Sequence, residues 1–204
     1  MAVDKRGHFF GTALNQPAAP AVPLAQQYGS FYGIYYIGDQ YTPANEPDLW
    51  AGWYYDWLGE PWKAQRVVRS EMTTYNDRPD GLPGNDDTGT MSAWYVLAAL
   101  GIYRVTPGLP IFELSSPAVD RATVAVGGRT FTIAAAGNSP ASPYVQAATL
   151  DGTPFDRTYV TTCELRRGGR LDLTLGPAPN RRWATGSNAA PPSLSGRKPP
   201  PACG

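Results

Sequence analysis

Three kinds of hydrophobic spacing follow one another along the chain. Residues 8–44 are rich in Pro, Ala, Tyr and Gly and keep neither a helical nor an alternating period, which predicts irregular structure after the short apolar start at Phe9-Phe10. From Asn45 the spacing turns helical. Asn45 is a favourable N-cap, Pro47 suits a first turn, and Trp50, Trp53, Tyr54, Trp57 and Leu58 recur at three- and four-residue intervals up to Gly59. A second helix is predicted from Pro61, with Ala64, Val68, Met72 and Tyr75 on one stripe and Lys63, Arg66 and Arg69 off it. The short link between the two predicts an antiparallel helical hairpin. Met91 to Leu100 is apolar on every face except at Ser92, the pattern of a helix enclosed in a larger body, and Gly101 ends it.

Beyond Gly101 the period becomes two. Ala122–Val126, the pair Gly127-Gly128 and Arg129–Ile133 spell strand, tight turn and strand, and Val145–Leu150, Asp151-Gly152 and Thr153–Phe155 repeat the signal. Tyr159-Val160 and Leu171–Leu175 add short strands. Helices first and an antiparallel sheet second define an α+β order. The expected organisation is an irregular, truncated start over 1–44, a helical part over 45–102, an antiparallel β region over 103–185, and a Pro-rich disordered tail or linker over 186–204.

Composition removes several classes of function. Seventeen basic residues balance seventeen acidic ones, so the surplus of positive charge that nucleic-acid binding needs is missing. No apolar run is long enough for a membrane span, and the charged start Met1–His8 does not lead into a signal-peptide core. The single histidine, His8, lies in the irregular start, leaving no base for a Ser-His-Asp or Cys-His mechanism and no imidazole for a zinc site. The two cysteines, Cys163 and Cys203, give neither metal-ligand spacing nor a redox motif and are expected to be free or weakly informative thiols.

Oxygen chemistry remains, and it concentrates in one place. Asn76 to Gly89 is a loop of fourteen residues directly ahead of the apolar helix, whereas most connections run to about four to six residues. It carries Asp80, Asn85, Asp86 and Asp87. Neighbouring carboxylates can divide acid and base roles, bind a hard cation such as calcium, or satisfy turn and cap positions, and the loop by itself allows all three. With Asn45, Glu46 and the tryptophans Trp50, Trp53, Trp57 and Trp94 nearby in sequence, the set points towards sugar chemistry.

Those residues also carry a resemblance. Asn45-Glu-Pro47, Tyr54-Tyr-Asp-Trp-Leu-Gly-Glu-Pro-Trp62, Gly81-Leu-Pro-Gly-Asn-Asp-Asp-Thr-Gly89 and Met91-Ser-Ala-Trp-Tyr-Val96 resemble, in order, the C-terminal part of glycoside hydrolase family 92. Ser116-Pro117, Arg129–Ile133, Asp151-Gly152 and Leu175–Asn180 are similar to its closing β segment. The resemblance implies an exo-acting, calcium-dependent α-mannosidase of α-1,2 type that works with inversion. It also implies that this chain holds the last helices of an (α/α)6 barrel followed by a small antiparallel β-sandwich region. In that family the acidic motif supplies the general base, a role that passes to Asp87, with Asp86 as the other candidate. Asn45 and Glu46 match the Asn-Glu-Pro motif at the active site. By resemblance they bind calcium or sugar hydroxyls, with Asp87 as a further metal ligand and Asn85 at the substrate. Thr88 and Thr90 stand where the family carries Cys and Gln.

An inverting enzyme also needs a second carboxylate, about 6.5–9.5 Å from the first, to protonate the leaving oxygen. The family's acid glutamate precedes the Asn-Glu-Pro motif, and residues 1–44 contain no glutamate. The expected partners are therefore a mannose-containing glycan and the missing N-terminal part of the same enzyme, with no nucleic acid and no membrane. The resemblance places such enzymes outside the cell or in the periplasm, although this chain shows no signal peptide. The alternative is a non-catalytic carbohydrate-binding or β-sandwich accessory module.

Overall fold

Strand–turn–strand signals and helix stripes both reappear in the computed structural model, which describes residues 2–3, 9–10, 46–193, 196, 198–200 and 203. The chain divides into two units, residues 1–52 with 70–96 and residues 53–69 with 97–204.

The first unit holds a two-residue antiparallel pair, β1 (Ala2–Val3) with β2 (Phe9–Phe10), and a 3-10 turn at Glu46–Asp48. It also holds a 3-10 turn at Met72–Thr74 and most of a helix at Thr90–Ala99. That helix is the second of the two long ones, α1 (Pro61–Glu71) and α2 (Thr90–Ala99). α2 turns Met91 and Trp94 inward, both fully buried, and the Trp94 indole N–H donates to the Leu49 carbonyl at 2.7 Å. Tyr75 stacks on Trp94 with ring centroids 5.6 Å apart. The expected helix at 47–58 is instead 3-10 turns at Glu46–Asp48 and Ala51–Asp56, so no hairpin of two α-helices forms there. Gly52 and a run of bulky aromatics have poor helix propensity, and the tighter turns suit them better.

In the second unit α1 is tied to the β region by side chains. Gln65 Oε1 accepts from the Val145 N–H at 3.0 Å, and the Arg69 guanidinium donates to the carbonyls of Pro117 and Ser139 and to Asn138 Oδ1. The strands are β3 (Ile102–Tyr103), β4 (Ile111–Leu114), β5 (Arg121–Val126), β6 (Arg129–Ala136), β7 (Tyr144–Leu150), β8 (Thr153–Pro154), β9 (Tyr159–Thr161) and β10 (Gly169–Gly176). They form a three-stranded sheet, β3-β4-β9, and a five-stranded sheet, β5-β6-β10-β7-β8. Ile102, Leu114 and Val160 from the first join Phe131, Ile133, Leu171 and Leu173 from the second in one core. Both predicted tight turns are present: Gly127 and Gly128 have φ 59° and 77°, Asp151 and Gly152 φ 51° and 78°. Two successive left-handed residues are what a two-residue hairpin of matching twist requires.

Four features depart from expectation. The β region is not wholly antiparallel, because β10 runs parallel to β6, with Leu171 opposite Ile133. The long excursion through β7, β8 and β9 between them makes that direction reachable. A short helix, α3 (Thr162–Arg167), was not anticipated although its start is written in the sequence: Thr161 and Glu164 form a reciprocal capping box. Cys163 and Cys203 are not free thiols but a disulfide, made possible because Cys203 comes back to α3, with the two Cα atoms 5.2 Å apart. Part of the Pro-rich end is likewise packed, with Ala189 in the core and its carbonyl accepting from the Thr158 N–H at 2.9 Å.

Two acids are enclosed in this unit. Glu113 is fully buried, takes a 2.9 Å hydrogen bond from the Val105 N–H, and is pushed up to about 7 by burial, with Arg104 pulling the other way. Asp56, also fully buried, lies well above the usual carboxylate range through burial and the charge of Glu113, and neither of its oxygens has a partner among the described residues. Between the ordinary value of 4.5 and about 7 the folded chain keeps a proton on Glu113 that the unfolded chain has lost. This contribution to stability is complete at low pH and disappears as pH rises through that window. Urea unfolding is therefore expected to show a midpoint that falls from pH 5 to pH 8. Glu113→Gln, which mimics the protonated acid, should flatten that fall, leaving the share due to Asp56.

Candidate functional site

The acidic loop is shaped by its own backbone before any side chain acts. Arg78 N–H donates to Asn76 Oδ1 at 3.0 Å, and Asn76 N–H to the Gly81 carbonyl at 2.9 Å, closing the first half of the loop. A Cβ on Gly81 would lie 2.1 Å from the Asn76 carbonyl oxygen, so only glycine fits. In the second half Asp87, Thr88 and Gly89 have φ 40°, 61° and 90°. A left-handed β-branched threonine is costly, of order 1–3 kcal/mol, and such conformations gather at functional sites. Here the threonines hold the turn: the hydroxyls of Thr88 and Thr90 donate to the Asp87 carbonyl at 2.6 and 2.8 Å.

This turn sends the two aspartates in different directions. Asp86 points along α2, where Oδ1 accepts from the Ser92 N–H and Oδ2 from the Ser92 hydroxyl, both at 2.9 Å. Its carbonyl accepts from the Thr90 N–H at 2.7 Å. Asp86 thus satisfies donors at the head of the helix, the cap role that the sequence allowed. Asp87 points away from the helix. Its Oδ1 accepts from Asn85 Nδ2 at 2.6 Å, and its carboxylate meets that of Glu46. The hydrogen bond that the Glu46 carboxyl donates to Asp87, followed by burial and then the charge of Asp87, holds Glu46 above the usual carboxylate range, with a backbone hydrogen bond pulling the other way.

Of the residues singled out from sequence, the structure brings together Glu46, Asn85 and Asp87, turns Asp86 to the helix, and leaves Asn45 outside the described residues. Ser92 was visible only as the one polar position on an apolar helix; its clasp on Asp86 depends on loop geometry that spacing does not reveal. Two carboxylates in contact either share a proton or face a cation, and their oxygens are the hard donors that suit calcium. Calcium takes about six to eight oxygens, and among the described residues no group of three or more His, Cys, Asp or Glu side chains is placed to hold a metal.

The comparisons with known proteins say which class carries this carboxylate loop and the two-sheet unit that follows it: the matches are glycosidases. The family model of the Glycosyl hydrolase family 92 catalytic domain matches residues 9–177. The chain belongs to glycoside hydrolase family 92. It is 33% identical over 166 residues to an uncharacterized secreted glycosidase of Arthroderma benhamiae, covering 79% of this chain and 20% of that protein. Among solved structures it is similar to the family GH92 α-mannosidase BT3965 from Bacteroides thetaiotaomicron (35% identity, TM-score 0.72, 74% of this chain and 21% of that one). It is also similar to the family GH92 inverting mannosidase BT2199 from the same organism (38%, TM-score 0.68, 72% and 21%). BT3965 has also been solved in complex with mannoimidazole. The chain therefore spans about a fifth of the length of these relatives. No described helix is long and apolar enough to cross a membrane.

Proposed function

We propose that this chain is the part of an exo-acting, inverting α-mannosidase that carries the general base, with Asp87 in that role. The single observation that carries the reading is the partition of the aspartates: in a family 92 chain, Asp86 is spent on the helix head while Asp87 is free of it and meets Glu46. An acid and base that invert must leave room for a water, about 6.5–9.5 Å. Carboxyls joined by a hydrogen bond are far too close for that, so Glu46 is not the acid, and the acid comes from residues beyond those described. Asp87 would take the proton of the attacking water, and Asn85 Nδ2 would hold its carboxylate in place. Glu46 and Asp87, with Asn45, would hold calcium, which when bound supplies positive charge for orienting water and sugar hydroxyls. The helices of this chain would close an (α/α)6 barrel with the remainder of the domain, and the substrate would be a terminal mannose, of α-1,2 linkage. Secretion fits the secreted relative and the disulfide, a bond that persists in oxidising compartments.

The test is mannose release by the chain joined to the rest of its catalytic domain, with and without a chelator. Release that the chelator abolishes and calcium restores is the expected result. Binding of glycans by the isolated chain, indifferent to chelator, would favour an accessory module instead.

A further inference from the structure

We propose that the second unit carries a binding groove of its own for a neutral saccharide, walled by the β7–β8 hairpin, α3 and residues 186–189. The choice of mannose as its sugar rests on the mannosidase reading above; the groove and its chemistry do not.

The groove has a volume of about 630 Å³ and shares no residue with the carboxylate loop. Small-molecule sites run from about 300 to 1,000 Å³, so there is room for several atoms more than an ion needs. Phe155 and Ala189, both buried, lie at its base, while Asp151, Asp156, Arg167 and Ser187 stand exposed around it. The wall at 186–189 belongs to a stretch past residue 177, where the family match ends. That stretch is held on both sides of the groove. The Trp183 indole N–H donates to the Phe155 carbonyl at 3.1 Å, and the Ala184 N–H donates to Asp156 Oδ1. Further on, the Trp57 indole N–H donates to the Pro192 carbonyl at 3.3 Å, and Cys203 is bonded to Cys163 of α3. A wall fixed in advance spares the ligand most of the entropy of ordering it.

The ligand class follows from which polar groups are already engaged. Arg157 and Glu164 pair with each other, and the Arg157 guanidinium lies over the rings of Phe155 and Tyr159 at 4.6 and 4.9 Å. Asp151 Oδ1 accepts from the Arg170 N–H at 2.7 Å and Asp156 Oδ1 from that of Ala184. Each of these two carboxylates keeps its second oxygen without a hydrogen bond among the described residues, and the Arg167 guanidinium has no partner among them. An anion would face two carboxylates, a cation would face the guanidinium, and an apolar molecule would strand all three. A sugar meets both kinds of group, because its vicinal hydroxyls donate to a carboxylate and accept from a guanidinium. Hydrogen bonds to ionised partners are the stronger kind.

The test is a titration of the isotope-labelled chain with α-1,2-mannotriose, read by amide NMR shifts with the disulfide closed. Saturable shifts at Asp151, Asp156, Arg167 and Ser187 are expected. Asp156→Asn keeps the acceptor for Ala184, and Arg167→Ala removes a side chain that touches no described partner, so both should fold. Each should weaken binding about tenfold or more, as loss of a hydrogen bond to a charged group does, while Asp87→Asn leaves it unchanged. No saturable shifts, shifts confined to Glu46 and residues 85–87, or binding that survives both groove variants would overturn the proposal. Equal binding of inorganic phosphate or glycylglycine would overturn it too, as the mark of a site for ions or zwitterions. Mannose release by the chain joined to the rest of its catalytic domain separates the two readings. Groove binding without release keeps the groove and leaves an accessory module; release without groove binding keeps the mannosidase and removes the groove. Where both occur, chelator-indifferent binding that the groove variants abolish belongs to the groove and does not count against the mannosidase.

Discussion

Asp87→Asn, in the chain joined to the rest of its catalytic domain, is expected to lower the turnover of mannose release by about two to four orders of magnitude, the range general-base catalysis supplies. Asparagine keeps the shape and can still face Asn85, but it cannot take a proton. The effect should fall on kcat more than on KM, since the proton transfer belongs to the transition state. Asp86→Ala is the informative contrast. It removes the acceptor for the Ser92 N–H and hydroxyl, so it should cost about 0.5–2 kcal/mol of stability, as loss of a helix cap does, and reduce activity only as the fold loosens. Initial rates at saturating substrate, beside urea unfolding of both variants, decide the matter. Reversed effects would hand the base role to Asp86.

The second large effect concerns the disulfide. Cys163 and Cys203 are separated by 40 residues, and closing a loop of that size restricts the unfolded chain enough to stabilise the fold by about 2–4 kcal/mol. The double variant Cys163→Ser, Cys203→Ser should lower the unfolding free energy by that amount in urea without reductant, and dithiothreitol should bring the native protein to the same value. The loop includes β10, so the bond bears on the centre of the large sheet as well as on the end of the chain. Unchanged stability in both arms would show that Ala189 and its neighbours hold the segment unaided.

What could be read from the sequence was whatever depends on near neighbours. Gly127-Gly128 and Asp151-Gly152 announced their hairpins because left-handed turn residues act within four positions, and the stripe of Ala64 and Val68 announced α1 for the same reason. The parallel pairing of β10 with β6 was hidden, since no local pattern states which strand lies beside which. Cysteine pairing was hidden too, because it requires knowing that residue 203 returns to residue 163. At the site, the loop and its carboxylates stood out by length and charge. Their division of labour did not, since it is set by φ values of 40° and 61° at Asp87 and Thr88 that composition does not encode.

The place of β10 governs how this unit can come into being. Among the described residues it is the last strand in sequence, yet it lies between β6 and β7 and bonds to both. A ribosome emits the two hairpins, β5-β6 and β7-β8, well before the strand that joins them, and until Gly169–Gly176 appears each presents an open edge. Such edges invite pairing with other chains, and non-local closure of this kind is slow. The nascent protein is therefore most vulnerable to aggregation in the interval between the emergence of β8 and that of β10, and a stop before residue 169 would leave a sheet without its keystone.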